Sequence, residues 1–130
     1  MSDHVLIVDD NRDAADTIAG LVDSFGYVSK AVYSGEQAIH ETTRFLPDMV
    51  LMDLSMPGQD GYETITQIRQ KRPAAEIVMV AVTAFDSPEH KRRAYDAGFD
   101  LFITKPLRIH NLRELLELLD PAIVKDSGRI

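Results

Sequence analysis

The 130-residue sequence contains no cysteine. That one absence excludes disulfides, thiolate metal sites and cysteine nucleophiles together. Positive charge is also short: 14 Lys and Arg stand against 21 Asp and Glu, a formal net charge of −7. A sequence-independent grip on nucleic acid needs the opposite, a basic surface, so no direct nucleic-acid partner is expected. Long apolar runs are missing too. The longest, Ile77 to Val82, has the length of a strand and falls far below the ~20 residues of a membrane helix. Met1-Ser2-Asp3-His4 lacks a basic stretch leading into an apolar one, so no secretory signal is visible. What remains, 45% hydrophobic and 27% charged residues, is the composition of a globular domain, at the length of one. A cytoplasmic single domain with no membrane partner is the expectation.

Short apolar runs alternate with helical patterns along the chain. Val5-Leu6-Ile7-Val8 is continuous and β-branched, and Asp9-Asp10-Asn11 ends it, as in a strand buried on both faces. Ala15, Ile18, Val22 and Phe25 recur at helical spacing, with Gly26 in the C-cap position. Val28 to Val32 mixes in Ser29 and Lys30, which suits a half-buried edge strand. A second helix is predicted from Gly35 to about Phe45, stopped by Pro47. Met49 to Met52 is another buried strand ending at Asp53, and a turn-rich loop leads into a helix from Tyr62 to Arg72. Ile77 to Val82 is the fourth strand. Ser87 as cap and Pro88 at the first helical position open a helix that ends at Ala97-Gly98. Leu101-Phe102-Ile103 is the fifth strand, and Ile109, Leu112, Leu115, Leu116 and Leu119 form the apolar stripe of the last helix.

Five βα units in series imply an α/β fold: a parallel sheet covered by helices on both faces, with right-handed crossovers. Polar residues in an edge strand favour the flavodoxin-like, doubly wound order 2-1-3-4-5. Residues 1–120 form the predicted domain, and 121–130 a short C-terminal tail.

Ligands of such sheets bind at the carboxyl ends of the strands. Asp9 and Asp10 end the first strand, Asp53 the third, Thr83 the fourth, and Lys105-Pro106 the fifth. Two carboxylates about 5 Å apart at an effective dielectric of about 20 repel by about 3 kcal/mol. A raised pKa or a cation must relieve that. An oxygen-only cluster suits a hard divalent ion, and Mg²⁺ fits a shallow site that retains waters. A carboxylate nucleophile, Mg²⁺, a lysine and a hydroxyl together suit phosphoryl transfer.

Asp9-Asp10, Asp53 with the following Met56-Pro57-Gly58 and Asp60-Gly61, Thr83-Ala84 and Lys105-Pro106 resemble the receiver domain of two-component response regulators. The resemblance runs from about residue 4 to 119 and keeps every motif in order. It implies that Asp53 is the phosphoacceptor, taking a phosphoryl group from the phosphohistidine of a sensor histidine kinase or a phosphotransfer protein. Asp10 would bind Mg²⁺ directly, together with Asp53 and the backbone carbonyl of Ser55, and Asp9 through water. Lys105 and Thr83 would hold phosphoryl oxygens, helped by the Ala84 N–H. The aromatic switch position falls on Phe102, and the Lys105–Pro106 bond is typically cis. Ser55 and Phe85 lie two residues beyond Asp53 and Thr83, where side chains can reach the path of an attacking water, so the lifetime of the phosphorylated state should depend on them. Output would pass through the face formed by helix 4, strand 5 and helix 5, to a downstream protein or a second copy. The protein's own phosphorylation and dephosphorylation would then be its only chemistry.

Each residue has a plainer explanation. Asp9 or Asp10 could cap the first helix, Asp53 could serve an Asx-turn, Thr83 could be one more β-branched strand residue, and Lys105 could be surface decoration. Those explanations leave the shared rim unaccounted for. Haloacid-dehalogenase-type phosphohydrolases use similar groups, but their second Asp follows the nucleophile by two residues, whereas Asp9 and Asp10 are adjacent. A flavin carrier would need a phosphate-cradling loop where Asp9-Asp10 would repel phosphate. His4, His40, His90 and His110 have no ligand spacing and read as surface residues, and Lys91-Arg92-Arg93 as a solvated helix face.

Overall fold

The computed structural model describes residues 3–84 and 87–119. The elements alternate throughout: β1 (His4–Val8), α1 (Arg12–Ser24), β2 (Val28–Val32), α2 (Gly35–Glu41), β3 (Met49–Asp53), α3 (Gly61–Lys71), β4 (Val78–Thr83), α4 (Pro88–Ala97), β5 (Leu101–Thr104) and α5 (Ile109–Glu117). The five strands are parallel and lie in the order β2-β1-β3-β4-β5. The fold is therefore the doubly wound, flavodoxin-like sheet expected from the alternation. The tail at 121–130 lies outside the described residues, and none of the described helices is long and apolar enough to cross a membrane.

The strand alternation divides the core in two. Leu6, Val8, Val50 and Met52 pack with Ala38 of α2, Ile65 and Ile68 of α3 and Ala94 of α4. Val5, Ile7, Met49 and Leu51 pack with Ala15 and Val22 of α1 and Leu112, Leu115 and Leu116 of α5. Every residue of β3 is buried, because the central strand of a parallel sheet has helices over both faces. Polar side chains cap the first four helices, and Ser87 does so where the sequence places a cap. Asn11, Ser34, Asp60 and Ser87 accept N–H groups at the starts of α1 to α4. Gly98 closes α4 at φ 118°, a conformation that favours glycine.

Three expectations need correction. The second helix stops at Glu41 rather than near Phe45. Thr42 and Arg44 donate to carbonyls only three residues back, and the Thr42 hydroxyl bonds back to Ala38, so the helix tightens and unwinds. His4 is not a free surface residue: its ring stacks on Phe45 at 4.7 Å between centroids, with Nδ1 2.7 Å from the Phe45 carbonyl. Ile109 does not join the core stripe. It is 60% exposed at the first position of α5.

Arg69 ties three elements together at the opposite end of the sheet from the acidic residues. Its guanidinium donates to the carbonyls of Ile77 and Gly98 and pairs with Asp100, whose carboxylate also accepts the Met79 N–H. Arg69→Ala is expected to cost about 2 kcal/mol, because two backbone carbonyls lose a charged donor. Urea unfolding of the variant beside the wild type measures it.

Candidate functional site

Strand register carries the polar residues to one rim. Val8 pairs with Met52, so the next residues, Asp9 and Asp53, stand side by side. Thr83 pairs with Thr104, and the Lys105 N–H donates to the Thr83 carbonyl at 2.7 Å. This brings the lysine over the end of β4. The Lys105–Pro106 peptide is cis.

Asp53 is 5% exposed. One of its oxygens accepts the Ser55 N–H at 2.8 Å, and the other lies 3.0 Å from Lys105 Nζ. Asp9 is equally buried. It accepts the Asn11 N–H at 3.0 Å, and its second oxygen is 3.8 Å from the same ammonium. Asp10 is exposed, and oxygens of Asp9, Asp10 and Asp53 lie within 4.8 Å of one another. Three carboxylates against one ammonium leave two negative charges uncompensated. Burial, followed by the adjacent Asp53 charge, pushes the Asp9 carboxyl upward, while the Asn11 N–H and Lys105 pull it back. An all-oxygen donor set with excess negative charge fits a hard divalent cation such as Mg²⁺. Beside these residues a cavity of about 480 Å³ opens between α1 and the segment after β5, lined among others by Thr17, Ile18, Lys105 and Leu107.

Thr83 is buried, its hydroxyl 3.4 Å from the Ser55 hydroxyl. The Ala84 N–H donates to that same Ser55 oxygen at 3.2 Å. Phe102 is half-buried against the core on the α2–α4 side, with the Lys91 ammonium 5.9 Å from its ring centre. Asp9, Asp10, Asp53, Ser55, Thr83, Ala84 and Lys105 thus meet at one rim. Phe102 lies on β5, two residues before the end of that strand, and Phe85 lies outside the described residues.

Two contributions are not evident from the strand-end motifs. Asn11, rather than Asp9 or Asp10, caps α1 through its side chain while its N–H holds Asp9. An asparagine just before the first helical turn is the signal that could have identified it. The Ser55 side chain, whose partners lie 28 and 29 residues away, has no local signal at all.

The sequence pattern of the response regulator receiver domain matches residues 5–117. The chain belongs to that family. It is 26% identical over 125 residues to the transcriptional regulatory protein CiaR of Streptococcus pneumoniae (strain ATCC BAA-255 / R6), covering 96% of this chain and 53% of that one. With the gliding motility regulatory protein of Myxococcus xanthus it shares 33% identity over 101 residues, which is 78% of this chain and 13% of the other. The chain therefore spans about half of one relative and a small part of the other. The structure of a CheY-like receiver domain from Methylobacillus flagellatus matches with a TM-score of 0.77 at 29% identity, covering 90% of this chain and 98% of that one. Receiver domains are signalling switches of two-component systems. Phosphorylation on aspartate and dependence on Mg²⁺, bound in an acidic pocket, are properties of the family. Histidine kinases or phosphotransfer proteins and downstream effectors are its partners.

The strain in this receiver's rim has a measurable sign. In Mg²⁺-free buffer at neutral pH, Asp9→Asn is expected to raise the melting temperature by about 3–5 °C, the shift that ~1 kcal/mol gives in a domain of this size. Because the Asp9 pKa is raised in the folded protein, wild-type stability falls as pH climbs from the ordinary carboxylate range through that raised value. The advantage of the variant therefore vanishes in acid and grows toward neutrality, as melting curves across pH will record.

Proposed function

We propose that this receiver domain takes a phosphoryl group onto Asp53 from the phosphohistidine of a sensor histidine kinase or a phosphotransfer protein in the cytoplasm. The observation that carries the reading is the Asp53–Lys105 pair at 3.0 Å inside an oxygen-only cluster. It sets a carboxylate nucleophile beside a cation able to pass to phosphoryl oxygens. In the reaction an Asp53 oxygen forms a bond to phosphorus as the P–N bond of the donor breaks, and the imidazole leaves with the electron pair. Negative charge on the transferring group is met by Lys105, the Thr83 hydroxyl and the Ala84 N–H, already grouped at the end of β4. Asp10, Asp53 and the Ser55 carbonyl would hold Mg²⁺, with Asp9 acting through water. The ion would supply positive charge that neutralises the phosphoryl oxygens.

The signal leaves through Thr83 and Phe102. When Thr83 turns its hydroxyl toward the phosphoryl group, it vacates space between β4 and α4 that Phe102 fills. That alters the α4–β5–α5 face, where a downstream protein or a second copy docks. Phosphorylation shifts this equilibrium by its differential interaction with the two states, and no direct nucleic-acid contact is part of the reading.

Incubation with acetyl phosphate and Mg²⁺ is expected to add one phosphate by mass spectrometry. Asp53→Asn should take up none, and chelation of Mg²⁺ should stop uptake by the wild type. Phosphate on the Asp53→Asn variant sinks the assignment. Sedimentation of the two forms tests the second-copy arm: association that strengthens on phosphorylation and is lost on substitution of Tyr95, 48% exposed on α4, supports that arm, and indifference to both rejects it.

A further inference from the structure

We infer that the Ser55 hydroxyl is an internal placeholder for a phosphoryl oxygen, occupying the Ala84 N–H and facing the Thr83 hydroxyl until phosphorylation displaces it. The inference rests on the Asp53 phosphoacceptor reading. In the resting protein the Ala84 N–H points at Ser55 Oγ at 3.2 Å, and Thr83 Oγ1 lies 3.4 Å from the same atom. These are the two donors assigned above to the phosphoryl group. The third, Lys105, is held by Asp53 and Asp9. The Ala84 N–H and the Lys105 ammonium therefore already have acceptors taken from the chain itself, and the Thr83 hydroxyl faces the Ser55 hydroxyl.

A serine hydroxyl in a loop often bonds to its own turn. Here it reaches instead across the rim to partners 28 and 29 residues away. The Ser55 N–H meanwhile fixes the backbone to Asp53 at 2.8 Å. That leaves rotation about a single side-chain torsion as the available motion, and Ser55 is only half-buried, so a released hydroxyl finds water. The chemistry of the stand-in also matters. A carboxylate there would add a fourth negative charge to three that already repel, whereas a hydroxyl satisfies the N–H without charge. An ionised phosphoryl oxygen makes charge-assisted bonds about twice as strong as neutral ones. It therefore outcompetes the serine, and the incoming group must first break the resting contact.

The test uses the whole chain and reads the resting state and the occupied state separately. In Mg²⁺-free protein, amide hydrogen exchange at Ala84 should quicken in Ser55→Ala by about three- to tenfold, the value of one net neutral hydrogen bond. Ser55→Thr, which keeps the hydroxyl, should exchange like the wild type. Titration with beryllofluoride and Mg²⁺, followed by NMR, should show Ser55→Ala binding tighter by about the same factor, with Ser55→Thr again at the wild-type value. Unchanged exchange at Ala84, or equal or weaker beryllofluoride binding by Ser55→Ala, overturns the placeholder. Failure of all three proteins to bind beryllofluoride would count against the Asp53 reading instead, and exchange at Ala84 would still decide the contact itself.

Discussion

Mutual repulsion among Asp9, Asp10 and Asp53 is the constraint around which the rest of the rim is arranged. With their oxygens within 4.8 Å of one another, the buried Asp9–Asp53 pair costs about 3 kcal/mol at an effective dielectric of about 20, and exposed Asp10 adds less. The parallel sheet imposes this closeness. Once Val8 stands beside Met52, the chain can only emerge with Asp9 next to Asp53, and burial on both faces of β1 and β3 denies both carboxylates full solvation. The ammonium that partly offsets the cost comes from the other side of the sheet. It is delivered by the backbone bond between Lys105 and Thr83.

A site organised in this way is held below its own optimum. Removing charge from it is expected to stabilise the fold, and anything that binds the folded state alone stabilises it by mass action. The Asp9 carboxyl records the tension, since burial and a like charge push it upward while two donors pull it down. Neutral groups nearby are arranged to avoid deepening it. Ser55 is the acceptor for Ala84, so the amide is satisfied in the resting state without a further anion. Readiness to accept a group and reluctance to add charge are thus two consequences of one electrostatic imbalance.

The sequence makes the sheet and most of the rim legible because both follow from local signals. Continuous apolar runs such as Val5–Val8 and Met49–Met52 mean strands covered on both faces, and a covered parallel sheet gathers its strand ends. Asp9, Asp53, Thr83 and Lys105 can therefore be brought together on paper. What escapes is set by contacts distant in sequence. The early stop of α2 goes with the capture of the Phe45 carbonyl by His4, 41 residues away, which no helical pattern near Phe45 encodes. Ile109 fits the spacing of the α5 stripe, but it sits at the first turn, beyond the reach of the sheet, and stays exposed. The reach of the Ser55 hydroxyl to Thr83 and Ala84 likewise depends on β4 lying beside it.

Asn11 shows how a cap and a charged site are kept from interfering. Aspartate and asparagine cap helices about equally well, so α1 could have begun with either. Aspartate would have placed a fourth carboxylate beside three that share one ammonium. Asparagine supplies the same acceptor to the Ala14 N–H at 3.1 Å with no charge. It also leaves the positive end of the α1 dipole to the carboxylates of Asp9 and Asp10 rather than to its own cap. The Asn11 N–H, donated to Asp9, carries that help directly to the more buried of the two. The helix that follows the acidic pair is thus capped by a neutral side chain, and its positive end faces the mouth of the site.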